Sequence, residues 1–302
     1  MISYRYHLVS IIGIFLAIAL GVVVGATALN GAVVGDLRRQ NTDLKSANAA
    51  QKSQIGTLQA QAGNADLLAR SFGGKLSGGS LAKQSVTLVS LPGVDSGLVT
   101  DTATALTNAG ATLSGKVTFT RTLIDPAHAT DIRALATSGS RPIGLQLPTT
   151  DDAGTLAGAM LGYALFGKGA ATDITQVVSG FSGLGMVKVD GTAPTAAKAV
   201  VVLAPGSLSD SDAATLKALV RQLHSSGGPT VVAGDAASAS SGLLAQLRKD
   251  DTARAAIAGV DDADSDLGKL TLVLATAGTI AGHPGQFGTA DGDDALLPGA
   301  AG

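Results

Sequence analysis

The sequence predicts an α/β protein in which an N-terminal transmembrane helix and a coiled-coil stalk precede a doubly wound, mainly parallel sheet domain. Three observations support this prediction: an uncharged apolar run over residues 8–34, a polar segment without proline over 36–70, and short β-branched runs that alternate with helical patterns afterwards. The chain has 302 residues, 45% of them hydrophobic and 15% charged, so it is long and apolar enough to bury a core.

These patterns divide the chain into five parts. We expect a membrane segment (a signal-anchor) over residues 1–35, a coiled-coil stalk over 36–70 and a Gly/Ser linker over 71–84. An extracytoplasmic α/β domain over 85–285 and a flexible Gly/Asp/Ala-rich tail over 286–302 complete the chain.

The composition excludes several classes of function. A net charge of −2 offers no basic surface for nucleic acid. The chain contains no cysteine, which excludes disulfides, thiol catalysis and cysteine-ligated metal sites. All 23 acidic residues are Asp, so mechanisms that require Glu are absent too. We therefore expect a protein that is not an enzyme and has no evident cofactor.

The apolar run over residues 8–34 predicts a membrane-spanning helix. Such a helix spans ~40 Å, whereas the hydrocarbon core of a bilayer is ~30 Å thick. A cleaved signal peptide is the alternative, because Ala26-Thr27-Ala28 has the spacing of a cleavage site. The run is longer than a usual signal core and favours an uncleaved anchor. Arg38 and Arg39 after the run argue against a cytoplasmic N-terminus, but a long domain can be translocated regardless of such charges.

Small residues recur within this run. Gly21-Val-Val-Val-Gly25 has the small-xxx-small spacing of closely packed helices, with Gly13 on the same side. The high glycine content of the chain, 40 residues in total, explains the pattern equally well.

The segment over residues 36–70 carries a heptad pattern that predicts self-association. The frame places Val34, Asn41, Asn48, Ile55 and Ala62 at a, and Leu37, Leu44, Gln51, Leu58 and Ala65 at d. Asparagine at a favours a parallel two-stranded register. We expect the contacts to come from Leu37, Asn41, Leu44, Asn48, Ile55 and Leu58. A single amphipathic helix that folds back on the globular domain is the alternative. The glycines over 71–80 are expected to end the helix and form a hinge.

The distal segment reads as alternating strands and helices. Strands are predicted at residues 85–91, 111–120, 186–189, 199–203 and 230–233, and helices at 96–108, 153–166, 240–249, 267–280 and after the capping residue Ser209. Continuous apolar strands separated by helices indicate a parallel, doubly wound sheet.

Two short motifs invite a chemical interpretation. Gly162 to Gly167-Lys168 fits the first seven positions of a phosphate-binding loop, but Gly169 stands where a Ser or Thr should bind Mg²⁺. It also falls at a helix end, which favours coincidence. Asp262, Asp264 and Asp266 have the oxygen spacing of a calcium loop without its Gly and Glu. An acidic run that supplies caps and favourable charge at a helix N-terminus is the preferred interpretation.

The remaining metal-binding residue types are few and scattered. The histidines are His7, His128, His224 and His283, and the methionines are Met1, Met160 and Met186. We expect His224, at a helix end, to meet the helix dipole. No set of these residues forms a metal motif in the sequence.

The layout resembles the mycobacterial copper transport protein B family, also called the copper transport outer membrane protein (MctB) family. The features that carry the resemblance are the opening Met1-Ile-Ser-Tyr-Arg-Tyr-His7, the apolar run Phe15 to Gly25, the heptad stalk and a late Gly282-His283-x-Gly285-x-x-Gly288 element. The resemblance covers essentially the whole chain.

The resemblance implies a role in copper efflux and resistance, with copper as a possible transported ion and a pore proposed for the family. It also implies an envelope protein, with the bulk outside the cytoplasm and the outer membrane as its place. Related actinobacterial members imply a second possibility, in which a membrane-anchored coiled coil partners a division protein and regulates a cell-wall peptidoglycan hydrolase. The residues alone favour the scaffold, whereas the family favours copper transport. An α/β hydrolase or nucleotide enzyme is a third possibility, supported only by the incomplete phosphate-loop match.

Overall fold

The computed structural model describes residues 4–138, 141, 142, 144–191 and 193–299, and for 5 and 27–34 it describes the backbone alone. Two compact units divide the chain, Met1–Asn64 and Ala65–Gly302. Met1, one of the three methionines, lies outside the described residues.

The first unit consists of helix, part of α1 (Tyr4–Ser77). The stretch Tyr6–Ala26 is long and apolar enough to cross a membrane, with a mean hydropathy of 2.8 and none of it buried. A signal sequence would pass the same test. The side chains that follow, including Leu37 and Leu44, are more than half exposed.

The second unit contains a seven-stranded sheet in the order β3-β2-β1-β4-β5-β6-β7. The strands are β1 (Ser85–Ser90), β2 (Thr112–Phe119), β3 (Val187–Asp190), β4 (Ala199–Leu203), β5 (Thr230–Ala233), β6 (Ala258–Val260) and β7 (Gln286–Phe287). All neighbouring pairs are parallel except β2 and β3. In the sheet, β2 and β3 lie on one side of β1, and β4 to β7 lie on the other. The structure thus confirms a mixed α/β fold with a mostly parallel sheet.

Helices cover both faces of this sheet. They are α2 (Ser96–Asn108), α3 (Arg121–Ile124), α4 (Ala129–Thr137), α5 (Ala153–Leu165), α6 (Ala171–Gly183), α7 (Asp210–Ser226), α8 (Ala236–Ser240), α9 (Leu243–Arg248), α10 (Asp251–Ala256) and α11 (Asp266–Ile280). The first core contains side chains of α4 to α7 and α9, and the second contains side chains of α2 and α11. This division follows from strands such as β4, whose five residues are all buried. Val200 and Val202 belong to the first core, and Val201 and Leu203 belong to the second.

The predicted linker is wrong in its first part, because α1 continues to Ser77. Ala69 and Gly73 are buried, and a Cβ built on Gly73 would lie 3.9 Å from the Leu270 side chain, so these small residues let α1 pack on α11. A glycine inside a helix costs only ~1 kcal/mol relative to alanine, which such packing can offset. The helix ends just before Gly79, whose φ of +77° is left-handed.

The tail predicted to be loose is partly ordered. Gln286 and Phe287 form β7, which pairs with β6. The predicted helix at 240–249 corresponds to α9, which begins only at Leu243, and a separate short helix, α8, ends at Ser240. A Cβ on Gly242 would lie 2.8 Å from the Cα of Ser238, so only glycine allows this close approach.

Candidate functional site

A crevice lies where β1, β2 and β4 end. Because β2 and β4 lie on opposite sides of β1, the loops that follow these strands separate and leave a space at the carboxyl edge of the sheet. Open α/β sheets bind ligands at this place. This cavity has a volume of about 890 Å³. We call it the switch-point crevice. Its lining includes the loop Leu91–Val94, the ends of β2 and β3, and the start of α7.

Basic side chains line one wall of this crevice. Lys116 and Lys188 lie on neighbouring strands, where Lys116 is opposite Asp190 and Lys188 is opposite Thr118. Arg121 follows β2, and its Nη2 lies 3.1 Å from Oδ2 of Asp212. Within the part of the chain that the structure describes, neither lysine has a carboxylate within the 4.0 Å of an ion pair. The two ammonium groups are therefore open to an anion from solvent.

The floor of the switch-point crevice combines hydroxyl and apolar groups. Ser90 Oγ donates a hydrogen bond to Thr118 Oγ1 over 2.9 Å, which leaves the Thr118 hydroxyl hydrogen free to donate elsewhere. Leu91 and Phe119 are buried beside them and give the floor an apolar part. The crevice thus offers positive charge, a donor and an apolar contact together.

A second, smaller crevice of about 340 Å³ adjoins the first and has the opposite charge. Its lining includes Asp95, Asp101, Asp235 and Asp264. Most of these carboxylates have structural roles: Asp95 and Asp235 cap α2 and α8, and Asp101 lies 2.9 Å from Lys269. Over the described ranges, no group of three or more His, Cys, Asp or Glu side chains is arranged to hold a metal ion.

The segment that resembles a phosphate loop is used for helix packing. Gly162 lies in α5 against α7, where an added Cβ would lie 2.6 Å from the carbonyl oxygen of Leu223. Gly158, one turn earlier, would place a Cβ 2.2 Å from the carbonyl oxygen of Leu219. The glycines therefore let two helix backbones approach, and the coincidence interpretation of the motif agrees with this geometry.

The acidic run at the start of α11 has mixed roles. Ser265 caps the helix, since its hydroxyl accepts from the Gly268 N–H over 2.8 Å, and Asp66 of α1 accepts from the Leu267 N–H over 3.1 Å. Asp266 pairs with Arg70 of α1, which lowers the pKa of the Asp266 carboxyl and raises that of the Arg70 guanidinium. Burial, together with the neighbouring Asp261 charge, raises the pKa of Asp262 to about 6. The run supplies favourable charge to the helix as predicted, but not its cap.

The histidines and the described methionines differ in burial and lie on different elements. His7 is exposed on α1, and His283 is exposed after α11. His128 Nδ1 lies 2.9 Å from Asp131 Oδ2 at the surface. His224 is in the last turn of α7 as predicted, but burial lowers its pKa and so opposes the charged form that would meet the dipole. Met160 and Met186 are buried in the first core.

The predicted coiled-coil contacts are exposed in the part of the chain that the structure describes. Leu37, Leu44, Ile55 and Leu58 are each more than half exposed along α1. Asn41 and Asn48 are exposed on the same helix. Whether a second chain covers this row stays a prediction.

The sequence-based reasoning missed a buried ionic cluster that holds the tail. Arg248 Nη1 lies 3.0 Å from Asp261 Oδ2, and its Nη2 pairs with Asp293; all three side chains are at most 7% exposed. The Asp261 carboxylate also accepts the N–H groups of Thr289 and Ala290 over 2.9 and 3.2 Å. Burial and the adjacent Asp261 raise the pKa of Asp293 to about 7, against the effect of the Arg248 charge.

The reasoning also missed the switch-point crevice, although the sequence carries a signal for it. Lys116 and Thr118 alternate with the buried Val117 and Phe119, so one face of a strand inside a mostly buried sheet is polar. Polar residues at the carboxyl end of such a strand predict an open face.

Comparison with known proteins identifies the family of the chain. A family model described as "Copper transport outer membrane protein, MctB" matches residues 1–298. Two proteins named Copper transporter MctB, from Mycobacterium bovis and Mycobacterium tuberculosis, are each 29% identical over 310 aligned positions, which cover 97% of this chain and 98% of the relative. A protein of the same name from Mycobacterium leprae is 27% identical over 311 positions, with the same coverage. Because the family model matches almost the whole length, this chain belongs to the MctB family.

Proposed function

We propose that this chain serves copper transport at the cell envelope as a single-pass membrane protein. The observation that carries the proposal is the family match over residues 1–298. The relatives named Copper transporter MctB align with this chain over nearly their whole length. The exposed apolar stretch Tyr6–Ala26 supports an anchor. The family description favours the outer membrane, and we place the bulk of the chain outside the cytoplasm. The family's naming as a transporter also favours a role without catalysis.

In this proposal copper is cargo and not a resident cofactor. Copper(I) prefers thiolates and clustered thioethers. The chain contains no cysteine, and Met160 and Met186 are buried in the first core, where they pack with apolar side chains. The chain therefore contributes to an assembly that moves copper without holding it tightly.

Such an assembly requires more than one copy, because a single membrane helix encloses no channel. The exposed row on α1 supplies the means of association. Its apolar members Leu37, Leu44, Ile55 and Leu58 recur at heptad spacing, and Asn41 and Asn48 favour a parallel pair. We propose that this row forms a coiled coil between copies, and that any pore is built from such copies.

The experiment is copper sensitivity of a strain that lacks the gene. The strain is complemented with the wild-type chain, with Leu44→Asp/Leu58→Asp, or with the matched control Ser46→Asp/Ser53→Asp, which adds the same charge outside the heptad seam. We expect the wild type and the control to restore copper tolerance and the seam variant to fail. A deletion strain with wild-type copper tolerance and copper content would contradict the transport role.

A scaffold for an envelope or division partner, such as a cell-wall hydrolase, is the second candidate. The observation that favours it is an apolar patch on the last turns of α1, where Leu67, Leu68, Phe72 and Leu76 are each at least half exposed. Contiguous exposed apolar groups mark interaction surfaces. Cell chaining in the deletion strain at unchanged copper sensitivity would support the scaffold. Replacing Phe72 and Leu76 with Ser should then reproduce the chaining.

A further inference from the structure

We propose that the switch-point crevice binds a phosphorylated, hydroxyl-bearing small molecule, with Lys116 and Lys188 on the phosphoryl group and Asp190 on a ligand hydroxyl. This inference is independent of the copper role. It rests on the position, the volume, the charge and the hydrogen-bonding groups of the crevice.

The sheet face that lines the crevice is exposed to solvent at β2 and β3. The helices that pack on this face, among the residues the structure describes, are α2 and α11, whose side chains form the second core with β1, β4, β5 and β6. The outer strands β2 and β3 carry polar, exposed side chains here: Lys116, Lys188 and Asp190. A volume of about 890 Å³ is in the range of small-molecule sites, ~300–1,000 Å³, and exceeds what a bare anion would fill.

The charges of the crevice favour a phosphoryl group. Lys116 and Lys188 are diagonal neighbours on adjacent antiparallel strands, so their side chains leave the same face within ~8 Å of each other. Like charges at this separation repel, and a dianion between them removes that repulsion. Arg121 is already paired with Asp212, which leaves the two lysines as the available cations of the crevice. The adjoining acidic crevice repels an anion and so directs it to this one.

The hydrogen-bonding groups favour hydroxyls on the ligand body. Asp190 accepts but cannot donate, and it has no ion-pair partner within 4.0 Å among the described side chains. Thr118 has a free hydroxyl hydrogen to donate to a phosphoryl oxygen. The apolar contact from Leu91 and Val94 can cover the remaining surface of a compact organic ligand.

The test is calorimetric titration of the full chain in detergent micelles with glucose 1-phosphate, glycerol 3-phosphate and AMP, one at a time. We expect at least one of the three to bind saturably. The variant Lys116→Gln/Lys188→Gln should weaken that binding at least tenfold. The control Lys198→Gln/Lys249→Gln, which neutralises two exposed lysines outside the crevice, should bind as the wild type does.

The variant Asp190→Asn distinguishes recognition of the ligand hydroxyl from recognition of the phosphoryl group. It should weaken binding of the hydroxyl-bearing probe and leave binding of inorganic phosphate unchanged or tighter. The proposal is overturned if none of the three probes binds the wild type saturably, or if the double lysine variant binds them as tightly as the wild type. It is also overturned if Asp190→Asn strengthens the binding of the organic probe and the binding of inorganic phosphate by the same factor.

Discussion

Two apolar helices of this protein carry the same spacing of small residues but differ in what faces those residues. In α5, Gly158 and Gly162 lie directly against carbonyl oxygens of α7. In the apolar stretch Tyr6–Ala26 of α1, a Cβ added at Gly13, Gly21 or Gly25 would meet no described atom within 4 Å. All of α5 from Leu156 to Leu165 is buried, whereas the stretch Tyr6–Ala26 is exposed.

A small-xxx-small pattern therefore predicts close packing of a helix but does not specify the partner of that helix. The second unit, Ala65–Gly302, is the distal unit. It contains its own partner for α5, and it pairs the buried Arg248 with Asp261 and Asp293. Helix α1, in contrast, is exposed along Tyr6–Ala26 and at the apolar members of its heptad row. We propose that lipid covers the first and a second copy of the chain covers the other. The following variants test that contrast, ordered by their expected effect on the free energy of unfolding of the distal unit.

Replacing Arg248 with Met should have the largest effect. Asp261 is completely buried and would lose the one cationic partner it has among the described side chains, which costs about 3–5 kcal/mol for a buried pair. Pulse proteolysis of the full chain in urea measures this loss. Arg221→Met is the matched control, because Arg221 is 46% exposed in its pair with Asp250 and should cost under ~1 kcal/mol. Equal losses in the two variants would refute internal pairing as a source of stability.

Replacing Gly158 with Ala should cost about 1–3 kcal/mol, because the new methyl group meets the Leu219 carbonyl and pushes α5 away from α7. Gly183→Ala is the control, since its Cβ enters open space at the end of α6 and should leave stability unchanged or raise it. Gly21→Ala in α1 should not change the unfolding of the distal unit. If Gly158→Ala matched Gly183→Ala in urea midpoint, the close packing of α5 on α7 would be wrong.

The attachment of the tail should weaken as pH rises. The pKa of Asp293 is raised to about 7, so the folded state favours the protonated carboxyl. That contribution is complete below about pH 4 and is lost as pH rises through about 7. The urea midpoint of the wild type should therefore fall between pH 5 and pH 8. Asp293→Asn, which resembles the protonated form, should show a smaller fall. Asp262 contributes in the same direction in both proteins, and His224, whose pKa is lowered by burial, contributes in the opposite direction in both. An equal fall in both proteins would exclude Asp293 as the titrating group.

The variant Leu44→Asp/Leu58→Asp should leave the free energy of unfolding of the distal unit unchanged, because both residues lie in the first unit and are more than half exposed. It should instead lower the oligomeric mass of the full chain in micelles, measured by light scattering. The control Ser46→Asp/Ser53→Asp should keep the wild-type mass. A wild-type chain that is already monomeric would remove the basis of the coiled-coil proposal.

The elements predicted well from the sequence are those whose signals are local. The β-branched run of β4, the Ser209 cap of α7 and the Pro92-Gly93 turn after β1 each depend on residues next to one another. The boundary at Ser77 and the ordered tail could not be predicted in this way. The first depends on Gly73 meeting Leu270, and the second on Arg248 meeting Asp293, which are contacts between distant parts of the sequence.

The switch-point crevice is an intermediate case. Alternation along β2 indicates that Lys116 and Thr118 leave the same face, but their proximity to Lys188 depends on β3 pairing antiparallel beside them. That pairing joins strands about 70 residues apart in the chain, and no local pattern in the sequence specifies it.

Cysteine cross-linking tests most directly whether α1 takes its partner from a second copy. The chain contains no cysteine, so a single introduced thiol reports one position without background. We compare Leu44→Cys, at a d position of the seam, with Ser46→Cys, two residues away and outside it, each in the full chain in micelles under mild oxidation. A coiled coil between two copies should give a disulfide-linked dimer for Leu44→Cys and little for Ser46→Cys. Equal cross-linking at the two positions, or none at Leu44→Cys, would contradict it.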